Sequence, residues 1–312
     1  MKISVVIPCY YSDHILHTVT DQIIKTIQEN HCDYEVILVN DGSKNNTFQI
    51  ISDIVDSRPN IVGINLAQNF GQHNAIMAGL RYVTGDLVWI CSDDGQSPVE
   101  VLGELVNMIV DDGFDAVCVK YKDRGKRNFF RKAGSKIAVK MSNSLIKHPK
   151  GIEFSIDMLM RRFVADEMVK YTGPYSYIEG LLFRITQNVG NIVADQKMRQ
   201  NGRSGYTFRK LIRLWMNGFT AFSIKPLRWS GIIGVIFAGI GFMIAMVAIA
   251  RKIFGMPIQM GWTSLITLLL VSSGIIMLIL SLIGEYIGRI YMSINNTPQY
   301  VIKDVVNKRE KE

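Results

Sequence analysis

The sequence predicts a parallel α/β domain followed by a helical membrane hairpin. Two observations support this prediction. Short β-branched strands alternate with amphipathic helices up to about residue 120, and two long uncharged apolar runs lie near the C-terminus. The chain has 312 residues, of which 48% are hydrophobic, and a formal net charge of +8. This length accommodates one large domain plus an appendage.

The α/β prediction rests on the alternation of two periodicities. The predicted strands are ISVVIP, YEVILVN, NIVGINLA, DLVWIC and FDAVCVKYK; the predicted helices are ILHTVTDQIIKTIQEN, TFQIISDIVDS, NAIMAGLRYVTG and PVEVLGELVNMIVDDG. Continuous apolar strands indicate a parallel sheet covered on both faces. The binding crevice of such a sheet lies beyond the carboxyl ends of its strands, where the turns NDGS and SDDGQ fall. Beyond residue 120 the pattern weakens.

Residues 229–250 and 263–284 are each long enough and apolar enough to cross a bilayer. The segment between them is short and broken by Gly255, Pro257 and Gly261. We therefore predict a two-helix transmembrane hairpin over residues 229–289. The competing interpretation is a pair of buried core helices, and the absence of an amphipathic face over the whole length disfavours it.

Basic residues flank the hairpin on both outer sides. They are Arg203, Arg209, Lys210, Arg213, Lys225 and Arg228 before it, and Arg289, Lys303, Lys308 and Arg309 after it. This bias predicts that both flanks of the hairpin lie in the cytoplasm, so that the chain is a multi-pass membrane protein with its α/β domain on the cytoplasmic side. We predict an amphipathic juxtamembrane segment at 206–228 and a cytoplasmic tail at 290–312, disordered from about residue 303. The positive net charge favours a protein that lies against an anionic membrane leaflet. A nucleic-acid partner is disfavoured, because the sequence lacks the interleaved aromatic and basic residues that single-strand binders use.

The acidic turn Ser92-Asp93-Asp94 follows a strand directly and has two interpretations. Either the carboxylates cap the helix that starts near Pro98, or they hold a divalent cation beside a nucleotide diphosphate. Dense basic stretches downstream favour phosphate-bearing substrates and hence the second interpretation.

The chain resembles the polyprenyl-phosphate glycosyltransferases of glycosyltransferase family 2, the dolichol-phosphate mannose synthase and bactoprenol glucosyltransferase type. The matching segments, in order, are SVVIPCYYS, VNDGS, NFGQHNAIMAGL, SDDGQSPVE, NGRSGYTFRKL and KPLRW, then the apolar runs and GEYIGRIY. The resemblance implies a GT-A domain over residues 1–205. It also implies metal-dependent, inverting transfer of a hexose, with UDP-glucose favoured, to undecaprenyl phosphate, for cell-surface glycan modification such as that of O-antigen. The implied cofactor is Mg²⁺ or Mn²⁺.

The same resemblance implies roles for individual residues. The nucleotide-sugar donor would contact Pro8, Tyr10, Asp41, Asn69, Gly71, Ser92 and Asp93. The metal would be held by Asp94, Gln96 and Asp93. The acceptor phosphate would meet Lys122, Arg124, Arg131, Arg199, Arg203 and Tyr206. The residues expected to be catalytic are Asp93, Asp94, Arg124 and Arg131.

Some positions depart from the family pattern. Ser92 replaces the first acid of the usual acidic motif, Asp93 lies in its middle, and Ser97 replaces its last acid. Gln68 and Gln72 stand where Arg and Lys are common. These departures bear on metal ligation, on contacts to the donor phosphates and on the identity of the sugar.

The sequence also bears on two other functional classes. A nucleotide-binding dehydrogenase is disfavoured because no G-x-G-x-x-G follows the first strand. A catalytically weak, membrane-tethered protein that binds a nucleotide sugar and recruits a partner such as a flippase stays open, because the first acid is lost. The small residues of GVIFAGIG favour close helix contact and thus a homo-oligomer.

Overall fold

The computed structural model describes residues 1–58, 60–122, 151–153, 155–195, 225–254, 261–295 and 297–307. The chain divides into two units. The first comprises Met1–Trp215 together with Asn296–Glu312, and the second comprises Met216–Asn295.

The first unit is built on a single eight-stranded sheet. Its strands are β1 (Lys2–Cys9), β2 (Asp33–Asn40), β3 (Ile61–Leu66), β4 (Leu87–Ile90), β5 (Ala116–Tyr121), β6 (Met158–Arg161), β7 (Val189–Ala194) and β8 (Ile302–Asn307). Their order is β7-β5-β6-β4-β1-β2-β3-β8. Strand β6 is antiparallel to β4 and β5, and β8 is antiparallel to β3, whereas the other pairs are parallel.

Helices connect these strands as the periodicity predicts. They are α1 (Leu16–Glu29), α2 (Thr47–Ser57), α3 (Gln72–Leu80), a 3-10 turn (Val99–Val101) leading into α4 (Leu102–Val110), α5 (Arg162–Met168) and α6 (Ile178–Ile185). The five predicted strands and four predicted helices before residue 122 are therefore confirmed. Strands β6 and β7 and helices α5 and α6 lie in the part of the chain where the sequence pattern was too weak to assign elements.

Packing around β1 confirms that the sheet is covered on both faces. Ile3, Val5 and Ile7 belong to a buried cluster with apolar residues of α1, α2 and α4. Val6 points to the other face, against Gly79 of α3, where a Cβ would lie 2.5 Å from the Val6 side chain. Each such aliphatic side chain contributes about 1.5–3 kcal/mol when fully buried. This is why the strand has no polar alternation.

The predicted disorder from about residue 303 is wrong. Residues 302–307 form β8, which pairs with β3 from Val62↔Asn307 to Leu66↔Ile302. Lys303 and Asp304, both exposed, interrupt its apolar residues, so the sequence pattern did not indicate a strand. Val306 packs against the main core cluster, so this strand shares the hydrophobic core of the first unit.

The second unit contains two long helices, α7 (Lys225–Ile253) and α8 (Trp262–Ile294). Among the described residues, one segment, Val271–Met292 with a mean hydropathy of 1.8, is long and apolar enough to cross a membrane. None of that segment is buried, which argues against a soluble core helix. The span predicted at 229–250, and with it the hairpin, stays a prediction. The juxtamembrane segment lies outside the described residues except for its last few.

A buried carboxylate links the residues at the amino-terminal ends of strands β1, β2 and β4. Glu35 is 1% exposed and accepts hydrogen bonds from Ser4 Oγ, Thr84 Oγ1 (2.7 Å) and Lys2 Nζ (3.0 Å). Burial acts to raise its pKa, but these hydrogen bonds outweigh burial and lower the pKa from 4.5 to about 2.

We expect Glu35→Gln to reduce the free energy of unfolding at pH 7 by about 2–3 kcal/mol, because the amide cannot accept all of these bonds. A lowered carboxyl pKa stabilises the fold fully above pH 4.5. This contribution is lost as the pH falls from 4.5 towards 2. The difference in Tm between wild type and variant should therefore shrink over that range in thermal unfolding of the full chain in detergent.

The matched control is Glu29→Gln, since the Glu29 side chain is 61% exposed and its ion pair with Lys25 is loose at 3.8 Å. Equal Tm values for the two variants at pH 7 would contradict the assignment.

Candidate functional site

Three turns meet at the carboxyl edge of the sheet. Strands β4, β1 and β2 are neighbours and run in the same direction, so the turns after Ile90, Cys9 and Asn40 come together. The predicted convergence of NDGS and SDDGQ at one edge is thus confirmed. Pro8 lies buried in β1, where it pairs with Val39 and leads into the first of these turns.

Asp93 fastens the turn after β4 to the turn after β1. Its Oδ2 accepts the backbone N–H of Tyr10 at 3.0 Å and the hydroxyl of Ser12. Burial and, less strongly, the charge of Asp94 raise the pKa of Asp93, while the two hydrogen bonds act to lower it. Asp93 Oδ2 therefore fixes the conformation of the turn after β1.

The turn held by Asp93 presents an aromatic surface. The ring of Tyr10 is 49% exposed and meets the ring of Tyr11 edge-on, with 4.6 Å between centroids. Tyr11 has a φ of +56°, in the left-handed region, and its N–H donates to Ser43 Oγ at 3.0 Å. An exposed, fixed aromatic ring at this edge is suited to stacking on a planar base.

Asp41 organises the loop Asn69–Gly71, which we call the donor loop. Its Oδ1 accepts the N–H of Phe70 at 2.7 Å, and its Oδ2 accepts from Gly71 N at 3.0 Å and Asn69 Nδ2 at 2.9 Å. Burial raises the pKa of Asp41, and the hydrogen bonds from Phe70 and Gly71 partly offset that rise. The structure thus brings together Asp41, Asn69 and Gly71, three of the residues predicted to bind the donor. Asp41 contacts the other two and fixes the conformation of their loop.

Gly42 permits the close contact between the turn after β2 and the donor loop. Its φ is +63°, and a Cβ there would lie 2.2 Å from the carbonyl carbon of Gln68. No side chain can be accommodated at that distance, so this turn requires glycine for space as well as for conformation.

Asp94 does not cap the following helix, so the capping interpretation of its carboxylate is wrong, and the cation interpretation stays a prediction. The 3-10 turn begins at Val99 and α4 at Leu102, and neither has a side-chain cap. Asp94 Oδ1 instead accepts the N–H of Gln96 at 3.1 Å within its own turn. Ser92, Asp94 and Gln96 are all partly exposed at the edge of the sheet.

The donor set fits a cation that receives most of its ligands from a bound substrate. Within the described ranges, no three His, Cys, Asp or Glu side chains converge as a ready-made metal cage. Asp94 supplies a carboxylate on the exposed side of the turn, and Asp93 supplies a second one beside it. One or two carboxylates plus substrate phosphates is a usual arrangement for Mg²⁺ or Mn²⁺.

Asp157 is a site residue that the sequence reasoning missed. It precedes β6, is 6% exposed, and accepts from the hydroxyls of Ser97 and Tyr121. Ser97 Oγ in turn accepts the N–H of Ser92 at 2.8 Å, which anchors the acidic turn from behind. Burial raises the pKa of Asp157 and also that of Tyr121. The only signal in the sequence is an acid directly before the apolar run MLM.

A second polar cluster joins the donor loop to the segment before α6. Asn74 Nδ2 donates to Phe70 O at 3.0 Å, and the hydroxyl of Ser176 donates to Asn74 Oδ1. The adjacent His73 lies 3.7 Å from the buried carboxylate of Glu179. This local contact gives His73 a place in the packing around the donor loop.

Of the predicted acceptor residues, Lys122 alone is described. It follows β5, which runs in the same direction as β4, and its ammonium pairs with Asp195 at 3.0 Å on the surface. The others lie outside the described residues; they are Arg124, Arg131, Arg199, Arg203 and Tyr206.

Comparison with known proteins agrees with this geometry. The glycosyl transferase family 2 profile matches residues 4–169. An undecaprenyl-phosphate 4-deoxy-4-formamido-L-arabinose transferase of Proteus mirabilis is 32% identical, over 99% of this chain and 95% of its own. A prophage-derived bactoprenol glucosyl transferase of Shigella flexneri is 32% identical, over 97% and 98%. An uncharacterized glycosyltransferase of Bacillus subtilis is 30% identical, over 99% and 96%.

Among solved structures, glucosyl-3-phosphoglycerate synthase from Mycobacterium tuberculosis, in complex with Mn²⁺, UDP-glucose and phosphoglyceric acid, has a similar fold. The TM-score is 0.52, with 16% identity over 70% of this chain and 77% of that one. At this identity the likeness concerns the fold, and it agrees with the predicted GT-A architecture.

We expect Gly42→Ala to destabilise the protein by about 3 kcal/mol or more, because the new methyl group would collide with backbone at Gln68. Gly113→Ala is the matched control: its φ of +77° is also left-handed, but nothing lies within 4 Å of its Cβ position. The control variant should lose about 1 kcal/mol of unfolding free energy. Thermal unfolding of both variants measures the difference, and equal losses would show that crowding at Gly42 is unimportant.

Proposed function

The chain belongs to glycosyltransferase family 2, and we propose that this glycosyltransferase moves a hexose from a nucleotide sugar to a polyprenyl phosphate held in a membrane. The single observation that carries the proposal is the joining of three turns at one sheet edge by Asp41 and Asp93. This arrangement places an ordered loop, an exposed aromatic ring and an acidic turn side by side.

On the donor side, different residues would contact different parts of the nucleotide sugar. The Tyr10 ring would stack on the nucleobase, and the donor loop, fixed by Asp41, would present Asn69 and Gly71 to the rest of the donor. Gly71 has a φ of +90° and no atom within 4 Å of its Cβ position, so its backbone leaves open space for a ligand.

Asp94 is the proposed principal metal ligand, with Gln96 beside it and Asp93 in support. A divalent cation held there would neutralise the negative charge of the nucleoside diphosphate. Because Asp93 Oδ2 already accepts two hydrogen bonds within the protein, Asp94 is the better placed of the two acids. Mn²⁺ is the first cation to test, since the synthase of similar fold was solved with it.

On the acceptor side, basic residues would position a group that needs no activation. A phosphate monoester is ionised at neutral pH, so no general base is required. One of its oxygens would attack the anomeric carbon, the bond from that carbon to the nucleoside diphosphate would break, and the configuration would invert. Lys122, Arg124 and Arg131, with Arg199, Arg203 and Tyr206, are the proposed phosphate contacts.

A lipid acceptor requires a site near a bilayer. We propose that residues 229–289 form the two-helix hairpin, with 206–228 as an interfacial segment and the catalytic unit of residues 1–205 on the cytoplasmic side of the inner membrane. The exposed apolar side chains of α8 are consistent with lipid contact.

UDP-glucose is the proposed donor. Relatives of similar identity carry names with two different sugars, glucose and the pentose derivative 4-deoxy-4-formamido-L-arabinose, so the donor panel should extend to other UDP-hexoses and to UDP-linked 4-amino-pentose derivatives. Purified full-length protein with UDP-glucose, undecaprenyl phosphate and Mn²⁺ or Mg²⁺ should yield a glycolipid, detected by mass spectrometry. If no donor yields an EDTA-sensitive product but nucleotide sugar still binds, the tethered binding protein becomes the better account.

We expect Asp94→Asn to lower kcat/KM for the donor about 100-fold, because the neutral amide is a poor ligand for a hard cation. Asp93→Asn should raise the donor KM chiefly by loosening the turn that carries Tyr10. Asp112→Asn, in the exposed turn after α4, is the control and should leave the kinetics unchanged. Full activity of Asp94→Asn would remove Asp94 from the site.

For the acceptor, Arg124→Ala and Arg131→Ala should raise the KM for undecaprenyl phosphate more than the donor KM, because each removes one charge from the proposed phosphate contact. Initial rates measured with each substrate varied in turn give the comparison. Equal effects on both constants would indicate that these arginines belong to a general charged surface.

A further inference from the structure

The segment Gln299–Asp304, here called the C-terminal strap, returns to the catalytic unit after the long helix α8. It contains the start of β8 and lies along β3, the strand that leads into the donor loop. The register breaks between Asn65 and Leu66, so the strap bends where β3 ends.

Two bonds attach the strap to the base of the donor loop. Val301 O accepts the N–H of Ala67 at 2.9 Å, directly after β3. Asp304 Oδ2 accepts from Asn65 Nδ2 at 2.9 Å, and Asn65 Oδ1 accepts from Asn40 Nδ2 at 2.8 Å. The resulting chain of side chains runs from the strap across β3 to the residue that precedes Asp41.

A third bond attaches the strap to the segment that precedes α6. Gln299 is 7% exposed and donates from Nε2 to Gly173 O at 3.1 Å. Ser176, a few residues further on, donates to Asn74, and Asn74 donates to Phe70 O within the donor loop. Tyr300, between the two attachment points, lies under the guanidinium of Arg81, 5.6 Å from the ring centroid.

These contacts link the strap to residues before and after the donor loop, and Asp41 binds the loop itself from the turn after β2. Short polar loops have few apolar contacts and open locally unless hydrogen bonds fix them. We propose that the C-terminal strap is a positioning element for the donor loop, and that Gln299 and Asp304 affect donor binding through the loop without touching either substrate. The donor half of this proposal rests on the proposed function.

This arrangement gives the chain beyond the membrane-type helix a role in the reaction. The strap begins a few residues after α8 ends at Ile294, so the loop that would bind the donor is ordered by chain that is made only after that helix. An enzyme truncated after α8 would keep every residue proposed to contact substrate and would still bind the donor poorly.

Hydrogen exchange on the full-length protein in detergent tests the coupling without any substrate. Asp304→Ala and Gln299→Ala, made separately, should each increase exchange in peptides covering residues 67–74 by about threefold to fivefold, the value of one hydrogen bond of about 1 kcal/mol. Asp304→Asn keeps an acceptor oxygen and should restore protection. Lys303→Ala, an exposed neighbour in the strap, is the control and should leave exchange unchanged.

Kinetics then test the consequence for the donor. Both alanine variants should raise the donor KM while leaving the acceptor KM and kcat near wild type. Peptides from β1 and β2 must keep wild-type protection, which excludes global unfolding as the cause, and each variant stands as a test independent of the other.

Unchanged exchange at 67–74 in both variants would overturn the proposal, and so would increased exchange with an unchanged donor KM. If the wild-type protein transfers no sugar, the proposed function fails, but the exchange comparison still decides whether the strap orders the loop.

Discussion

Burial of the Asp41 carboxylate at the end of β2 is the constraint on which the candidate site depends. A buried carboxylate is costly unless its oxygens are filled by donors, and here two backbone N–H groups and one amide of the donor loop fill them. The loop therefore takes the conformation that satisfies the acid. Gly42, with no room for a side chain, allows the turn carrying Asp41 to approach that closely.

The same principle divides the acids of the site into two kinds. Asp41, Asp93 and Asp157 turn oxygens towards the protein, and each fastens a different turn at the carboxyl edge of the sheet. Asp94 is partly exposed in the same turn and accepts the backbone N–H of Gln96. Hydrogen bonds from the protein stabilise three of these carboxylates at one edge, and a divalent cation bound at Asp94 would offset negative charge there.

Two antiparallel strands complete an otherwise parallel architecture, and both bear on the site. Strand β6 inserts between β4 and β5 and delivers Asp157 behind the acidic turn. Strand β8 covers the free edge of β3 and carries the C-terminal strap. Each brings a part of the chain that is distant in sequence next to a turn at the end of the central parallel strands.

The sequence alone determined the elements of residues 1–122, because continuous apolar strands and amphipathic helices have distinct periods that need no tertiary information. It also placed Asp41, Asp93 and Asp94 at the carboxyl edge, since parallel strands end on the same side. Tertiary structure decided what those acids contact: that Asp94 caps no helix, that Asp41 holds the donor loop, and that Asp157 belongs to the site at all. Strands β6 and β8 were missed for the same reason. Both strands are short and their pairing partners are far away in sequence, so each becomes recognisable as a strand only within the assembled sheet.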